Sequence, residues 1–137
     1  MKLKWIKVPE NLDMLERLAV VIAFIIMLFM FNYFCHGDEA SYYTEESCRR
    51  EGTSGICANG EVYDDDKYTA ASWDYAFGTR LRVTNRANGK SVILRVNDRG
   101  PNRKLYRQGR TLDLSKAAFA SIANLREGVI QITQEEI

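Results

Sequence analysis

The sequence predicts a mainly-β domain, a small barrel with one or two short helices, preceded by a single apolar N-terminal helix. Three observations carry that expectation. Arg80-Leu81-Arg82-Val83-Thr84-Asn85 alternates polar and apolar residues, and Ser91–Val96 does so again just after the hairpin signal Ala87-Asn88-Gly89-Lys90. Further short extended runs, Thr111–Leu114 and Val129–Thr133, flank one helical pattern from Lys116 to Asn124, which favours a compact barrel over a βαβ sheet. Leu18–Phe34 carries no charge and is apolar on every side, which a soluble domain of this size does not need.

Taken in order, Lys2, Lys4, Lys7 and Arg17 precede the apolar run, and Asp38 and Glu39 follow it. The positive-inside rule then leaves residues 1–17 as a cytoplasmic segment, 18–35 as an uncleaved membrane anchor, and 38–137 as a periplasmic or otherwise extracytoplasmic domain. If the leading segment were cleaved as a signal, the domain would be secreted. Phe34 before Cys35 is too bulky for a lipoprotein-processing site. In an oxidising compartment Cys48 and Cys57 are expected to bridge across a Gly/Ser/Thr-rich loop. That closure would contribute about 2.5–3 kcal/mol on the chain-entropy model. No metal site is expected, because the single histidine, His36, abuts the membrane and no four-ligand cluster exists.

After the anchor, Glu39–Thr44 reads as a strand, Glu45–Gly60 as a charged glycine-containing loop, and Glu61-Val62-Tyr63 as extended again. Asp64-Asp65-Asp66 lacks the spaced ligands and glycine of a calcium loop and reads as a solvated turn. Thr69–Ser72 is small-residue backbone suited to close packing. Trp73–Phe77 supplies aromatics for a core corner or a sugar-stacking platform. Ser115 is placed to N-cap the Lys116–Asn124 helix, with Leu114, Ala118, Phe119 and Ile122 on one face.

Charge is sorted along this chain. The net charge of +1 gives no case for nucleic acid as a partner. Acids dominate from Asp38 to Asp66, while from Arg80 to Arg110 the only acid among ten arginines and lysines is Asp98. Asp98 ends the Ser91–Val96 strand at Asn97-Asp98-Arg99-Gly100-Pro101, where Gly and Pro turn the backbone away. A lone carboxylate on a rigid strand end, ringed by cations, is a candidate reaction centre. It is equally a candidate Asx turn paired with Arg99.

The combination of Ala40-Ser41-Tyr42-Tyr43, Ala58-Asn59-Gly60-Glu61, Thr69-Ala70-Ala71, Gly78–Val83, Ala87-Asn88-Gly89, Arg95–Pro101 and Asp113-Leu114-Ser115 resembles the RlpA (rare lipoprotein A)-like double-psi β-barrel family, related to expansins and to lytic transglycosylases. The resemblance covers nearly all of residues 40–133, in order. It implies a six-stranded barrel with a groove for peptidoglycan glycan strands and no cofactor. It implies Glu61 and Asp98 as the functional carboxylates, with Ser72, Trp73, Tyr42, Asn97 and Arg99 as the expected glycan contacts. Cleaving members carry a histidine directly after Thr-Ala-Ala. This chain has Ser72 there, and a hydroxyl cannot replace imidazole as a proton shuttle near pH 7. Two readings follow: a lytic transglycosylase-like enzyme, or an expansin-like binding module without turnover. For the enzyme, cationic surroundings favour an ionised Asp98 and leave Glu61 as the protonated partner.

Overall fold

Leu81, Val83 and Asn85 point into the molecule and Arg80 and Arg82 out of it, so the period-two pattern of the sequence becomes strand β3 (Arg80–Asn85). Its hairpin partner β4 (Ser91–Asp98) buries Val92, Leu94 and Val96 in the same way. The turn between them is closed by the Asn85 N–H donating to Lys90 O at 2.8 Å, with Gly89 at a positive φ of 72°. The computed structural model describes residues 12–35, 38–50, 52 and 54–137; of residues 31–35 it describes the backbone only.

Four more strands complete the sheet: β1 (Asp38–Tyr43), β2 (Thr69–Ser72), β5 (Arg110–Ser115) and β6 (Val129–Glu136). Their spatial order, β1-β5-β2-β4-β3-β6, closes on itself as a six-stranded barrel. Closure removes the free edges that would otherwise template aggregation. β1 runs parallel to β5 and β2 parallel to β4, while the remaining neighbours are antiparallel. The interior is filled by Leu81, Val83, Val96, Leu112, Leu114 and Ile132, with Phe119 and Ile122, from the helix that follows β5, closing it.

Helix α4 (Lys116–Ile122) starts where the sequence places it, on Ser115, whose Oγ accepts from the Ala118 N–H. It is shorter than expected. Ala123 is extended, and Asn124 caps a separate 3-10 turn over Leu125–Glu127. Buried Asn85 ties strand to helix by donating from Nδ2 to Ile122 O at 2.9 Å.

The expected Glu45–Gly60 loop is partly helical: α2 covers Glu45–Arg50. Thr44 caps it, accepting from the Ser47 N–H at 3.2 Å, and Glu45–Arg49 and Glu46–Arg50 pair along it at i, i+4 spacing. The expected Cys48–Cys57 disulfide is not formed. Cys48 is carried on α2 rather than on a flexible loop, and Cys57 is 3% exposed with its Sγ 3.6 Å from Asn97 Nδ2. Glu61-Val62-Tyr63 contributes a single bridge, Ile56 to Val62, rather than a strand. The basic segment after Pro101 holds a four-residue helix α3 (Arg103–Tyr106), N-capped by Asn102.

The chain divides into two compact units, residues 1–36 and 37–137. The first contains helix α1 (Met14–Cys35), opened by a reciprocal cap in which Asp13 and Glu16 accept from each other's backbone N–H groups. The side chains of residues 13–30 are exposed on every face. Among the described residues no helix is long and apolar enough to cross a membrane. The expected anchor, residues 18–35, ends in side chains outside the described residues, as do residues 1–11 of the expected cytoplasmic segment.

Candidate active site

Strand β4 loses its alternation at its end: Val96 and Asn97 are both buried in succession. The parallel pairing with β2 explains this. Ala70 faces Val96 but Ala71 faces Asp98, so Asn97 is an extra residue, a β-bulge. The bulge leaves Asn97 buried beneath the Ala58–Glu61 turn and delivers Asp98, half-buried, onto the outer face of the barrel. Just beyond, the chain crosses close over β2. A Cβ on Gly100 would come within 3.1 Å of Ala71 Cβ, a contact tight enough that glycine fits there with least displacement of β2.

The Ala58–Glu61 turn folds over this strand end. Ala58 N–H donates to Asp98 Oδ1 at 2.8 Å, and Asn59 N–H to Asn97 O at 3.3 Å. Gly60, at a φ of 92°, lets the turn close so that Asn59 Oδ1 accepts from the Glu61 N–H. The Glu61 carboxylate then meets Arg95 in a two-point pair at 3.0 and 2.8 Å, and Asn97 Nδ2 at 3.2 Å. The two carboxylates expected from the sequence are therefore gathered at one end of β4.

Their electrostatics differ from the expectation. The Arg95 guanidinium, followed by the Asn97 amide, holds the exposed Glu61 carboxyl down at about 2, so Glu61 is ionised in this arrangement rather than the protonated partner. The cations near Asp98 are committed elsewhere. Arg95 serves Glu61, while Arg99 donates from Nη1 to the carbonyls of Ser72 and Tyr75, both at 2.9 Å, and stacks on Phe77 at 3.7 Å. Both hydrogen bonds of the Asp98 side chain arrive at Oδ1, from the Ala58 and Arg99 N–H groups, leaving Oδ2 without one among the described residues.

The other expected contacts are distributed as follows. Ser72 is fully buried, its Oγ accepting from the Asp74 N–H at 3.1 Å and its carbonyl holding Arg99. Trp73 is half-buried beside the turn, donating from Nε1 to Pro101 O at 2.6 Å, and the Arg103 guanidinium covers one ring face at 3.6 Å. Tyr42 packs on Phe119 and the barrel core.

Asp113 with its partner Ser41, and then Tyr43, join the site from outside the expected set. Ala71 faces Asp113 across β5 as well as Asp98 across β4, so the two acids share the outer face with Ala71 between them. Two inter-strand steps put their Cα atoms about 10 Å apart. Ser41 of β1, paired with Asp113, donates its hydroxyl to Asp113 Oδ1. Strand alternation turns Tyr43 away from Tyr42 and onto the face of Ser41, where its ring lies 4.5 Å from that of Tyr63. Burial first, and the Asp98 charge next, raise the Tyr43 hydroxyl far above its ordinary range, so it stays protonated. The same two causes push the Cys57 thiol up to about 11. The signal for Asp113 was present in the Asp113-Leu114-Ser115 match, while Tyr43 was hidden by its neighbour Tyr42. Among the described residues no His, Cys, Asp or Glu cluster could hold a metal ion.

Comparisons with known proteins agree with this fold. Residues 37–134 match the family model described as lytic transglycolase. The chain is similar to the probable endolytic peptidoglycan transglycosylase RlpA of Treponema pallidum, 43% identical over 69% of this chain and 27% of that protein. It is also similar to the endolytic peptidoglycan transglycosylase RlpA of Neisseria meningitidis, 41% identical over 58% of this chain and 32% of that protein. The chain thus spans about a third or less of the length of these relatives. Among solved structures, Streptomyces papain inhibitor matches 74% of this chain and 92% of its own at 25% identity and a TM-score of 0.56. The apo expansin of Clavibacter michiganensis matches 73% of this chain and 48% of its own at 24% identity and 0.53, a likeness of fold. With the closed six-stranded barrel, the bulged strand end and a family match over residues 37–134, the chain belongs to the lytic transglycolase family, as an RlpA-like double-psi β-barrel.

Proposed function

We propose that the barrel binds peptidoglycan glycan strands and cleaves them without water, as a lytic transglycosylase, with Asp98 as the acid–base group. The observation that carries this is the state of Asp98: one carboxylate oxygen is fixed by two backbone N–H groups, and the other is open at the end of a rigid strand. The relatives named endolytic peptidoglycan transglycosylase support the substrate class.

In this reading Asp98 protonates the glycosidic oxygen while the C6 hydroxyl of the muramic acid residue attacks the anomeric carbon. The bond to the leaving sugar breaks, an intramolecular C1–O6 bond forms, and the Asp98 carboxylate then accepts the hydroxyl proton. Glu61, held ionised by Arg95 and Asn97, serves as a fixed anionic wall rather than a proton donor. Asp113, oriented by Ser41, places a second carboxyl group across Ala71 to face the cationic character that develops at the anomeric carbon. Arg99 and Ser72 support the turn from beneath, and Trp73 and Asn97 line its sides.

Ser72 favours a second reading, a glycan-binding module without turnover. It is fully buried and bonded to the Asp74 N–H, so no imidazole assists Asp98 from that position. Digestion of purified cell-wall sacculi, read by mass spectrometry, separates the two. Anhydro-sugar products support the enzyme, and co-sedimentation with sacculi without such products supports the binder.

We further propose that α1 anchors the chain in the membrane and leaves the barrel in the extracytoplasmic space. The support is the uncharged run Leu18–Phe34, the basic residues before it, and described side chains exposed on every face of the helix.

A further inference from the structure

β1 presents two hydroxyls on one face of the barrel, Ser41 and Tyr43, two residues apart and therefore pointing the same way. The Ser41 hydroxyl is bound to a site carboxylate, Asp113. The Tyr43 hydroxyl is buried with no hydrogen-bond partner among the described residues. A buried hydroxyl left unmade is costly and uncommon, and one beside a reaction centre is a donor held in reserve.

The surroundings of Tyr43 narrow what that donor is for. Its ring is clamped against Tyr63, and Tyr63 spends its own hydroxyl on the Tyr43 carbonyl at 2.8 Å, so the clamp is made through ring and backbone. The Cys57 thiol lies against Asn97. The Asp98 carboxylate is the charge that acts most strongly on the Tyr43 hydroxyl, and its Oδ2, like the buried Asn97 Oδ1, is an acceptor without a hydrogen bond among the described residues. A protonated, buried phenol can donate to a carboxylate but cannot compete with it for the transferred proton.

We propose that Tyr43 is a positioning residue for Asp98: when a glycan strand is seated, its hydroxyl donates a hydrogen bond to the Asp98 carboxylate and fixes that group for proton transfer. This rests on the reading of Asp98 as the acid–base group. Each of the two carboxylates flanking Ala71 then has a hydroxyl from β1, Ser41 for Asp113 and Tyr43 for Asp98. No atom of Tyr43 is transferred; the proton moves between the sugar oxygens and Asp98 alone.

The test is Tyr43→Phe in the whole chain held in detergent micelles, assayed on peptide-free glycan strands. The substitution keeps the ring stack on Tyr63 and removes only an unpartnered oxygen, so the melting temperature should not fall. Turnover should fall on the order of tenfold with KM unchanged, the factor that one hydrogen bond to a charged group supplies. In parallel, the Asp98 carboxyl carbon is followed by NMR in both proteins as short peptide-free glycan oligosaccharides are added. The wild-type signal should shift on addition, and the Phe variant's signal should shift less. If wild type cleaves nothing, that NMR difference still supports the Tyr43–Asp98 bond while the transglycosylase reading fails. Equal turnover, or equal Asp98 signals with and without the hydroxyl, overturns the proposal.

Discussion

Asp98 is fixed from one side only, and that asymmetry sets the expected effect of changing it. Asp98→Asn keeps an oxygen acceptor for the Ala58 and Arg99 N–H groups. The fold should therefore survive, with sacculus cleavage, read as anhydro-sugar release, falling by about 10²–10⁴. Glu61 behaves differently because its role is an ion pair. Its carboxyl lies at about 2 against a usual 4.5, so the stability it contributes is present above the unfolded value and is lost as pH falls through about 2. Melting temperature followed from pH 5 to 2 should decline less steeply in Glu61→Gln than in wild type; identical acid limbs would show that the Arg95 pair is inert. Asp98 was legible in the sequence as the one acid in a basic block. The partner of Glu61 was not, because Arg95 lies 34 residues away and only the Ala58–Glu61 turn brings them together. The roles first given to the two acids followed from charge counted along the chain, whereas the folded site pairs its charges across strands.

Strands β3 and β4 and the cap of α4 could be read in advance because each depends on neighbours in sequence: alternation, a hairpin turn, a serine before a helical run. The bulge at Asn97 and the turn of Cys57 toward Asn97 depend on register between distant strands, which no local pattern carries. Helix α2 hid for a different reason. Its six residues are short and polar, and it stands on the Thr44 cap and two ion pairs rather than on an apolar face. Ser115 sits where several elements meet. Its Oγ accepts from the Thr69 N–H opening β2 and the Ala118 N–H of α4, and donates to Lys67 O at 2.5 Å. Ser115→Ala removes the cap and leaves the Lys67 carbonyl and the Thr69 N–H on the segment entering β2 without this partner. It should cost about 1–3 kcal/mol in urea unfolding, more than a helix cap alone. A loss of only a few tenths would mean that the cap and its two neighbours re-pair without it.

The whole molecule consists of two units with opposite demands on their surroundings. The barrel buries its own apolar residues around Leu81, Leu112 and Phe119 and closes its sheet, so it carries a core of its own. Helix α1 leaves Leu18, Val21, Ile25 and Phe29 exposed. Burying such side chains is worth about 1.5–3 kcal/mol each, a cost that water leaves in place and lipid removes. Two outcomes follow from that contrast. A chain beginning at Asp38 should be soluble without detergent, unfold in one cooperative transition, and keep its hold on purified sacculi. The whole chain should stay with the membrane fraction through carbonate extraction, and a reporter fused after Ile137 should be active only outside the cytoplasm. Release of the whole chain by carbonate would remove the anchor while leaving the barrel's chemistry intact. Failure of the shortened chain to fold would instead mean that the barrel draws stability from residues before β1, against the self-contained core seen here.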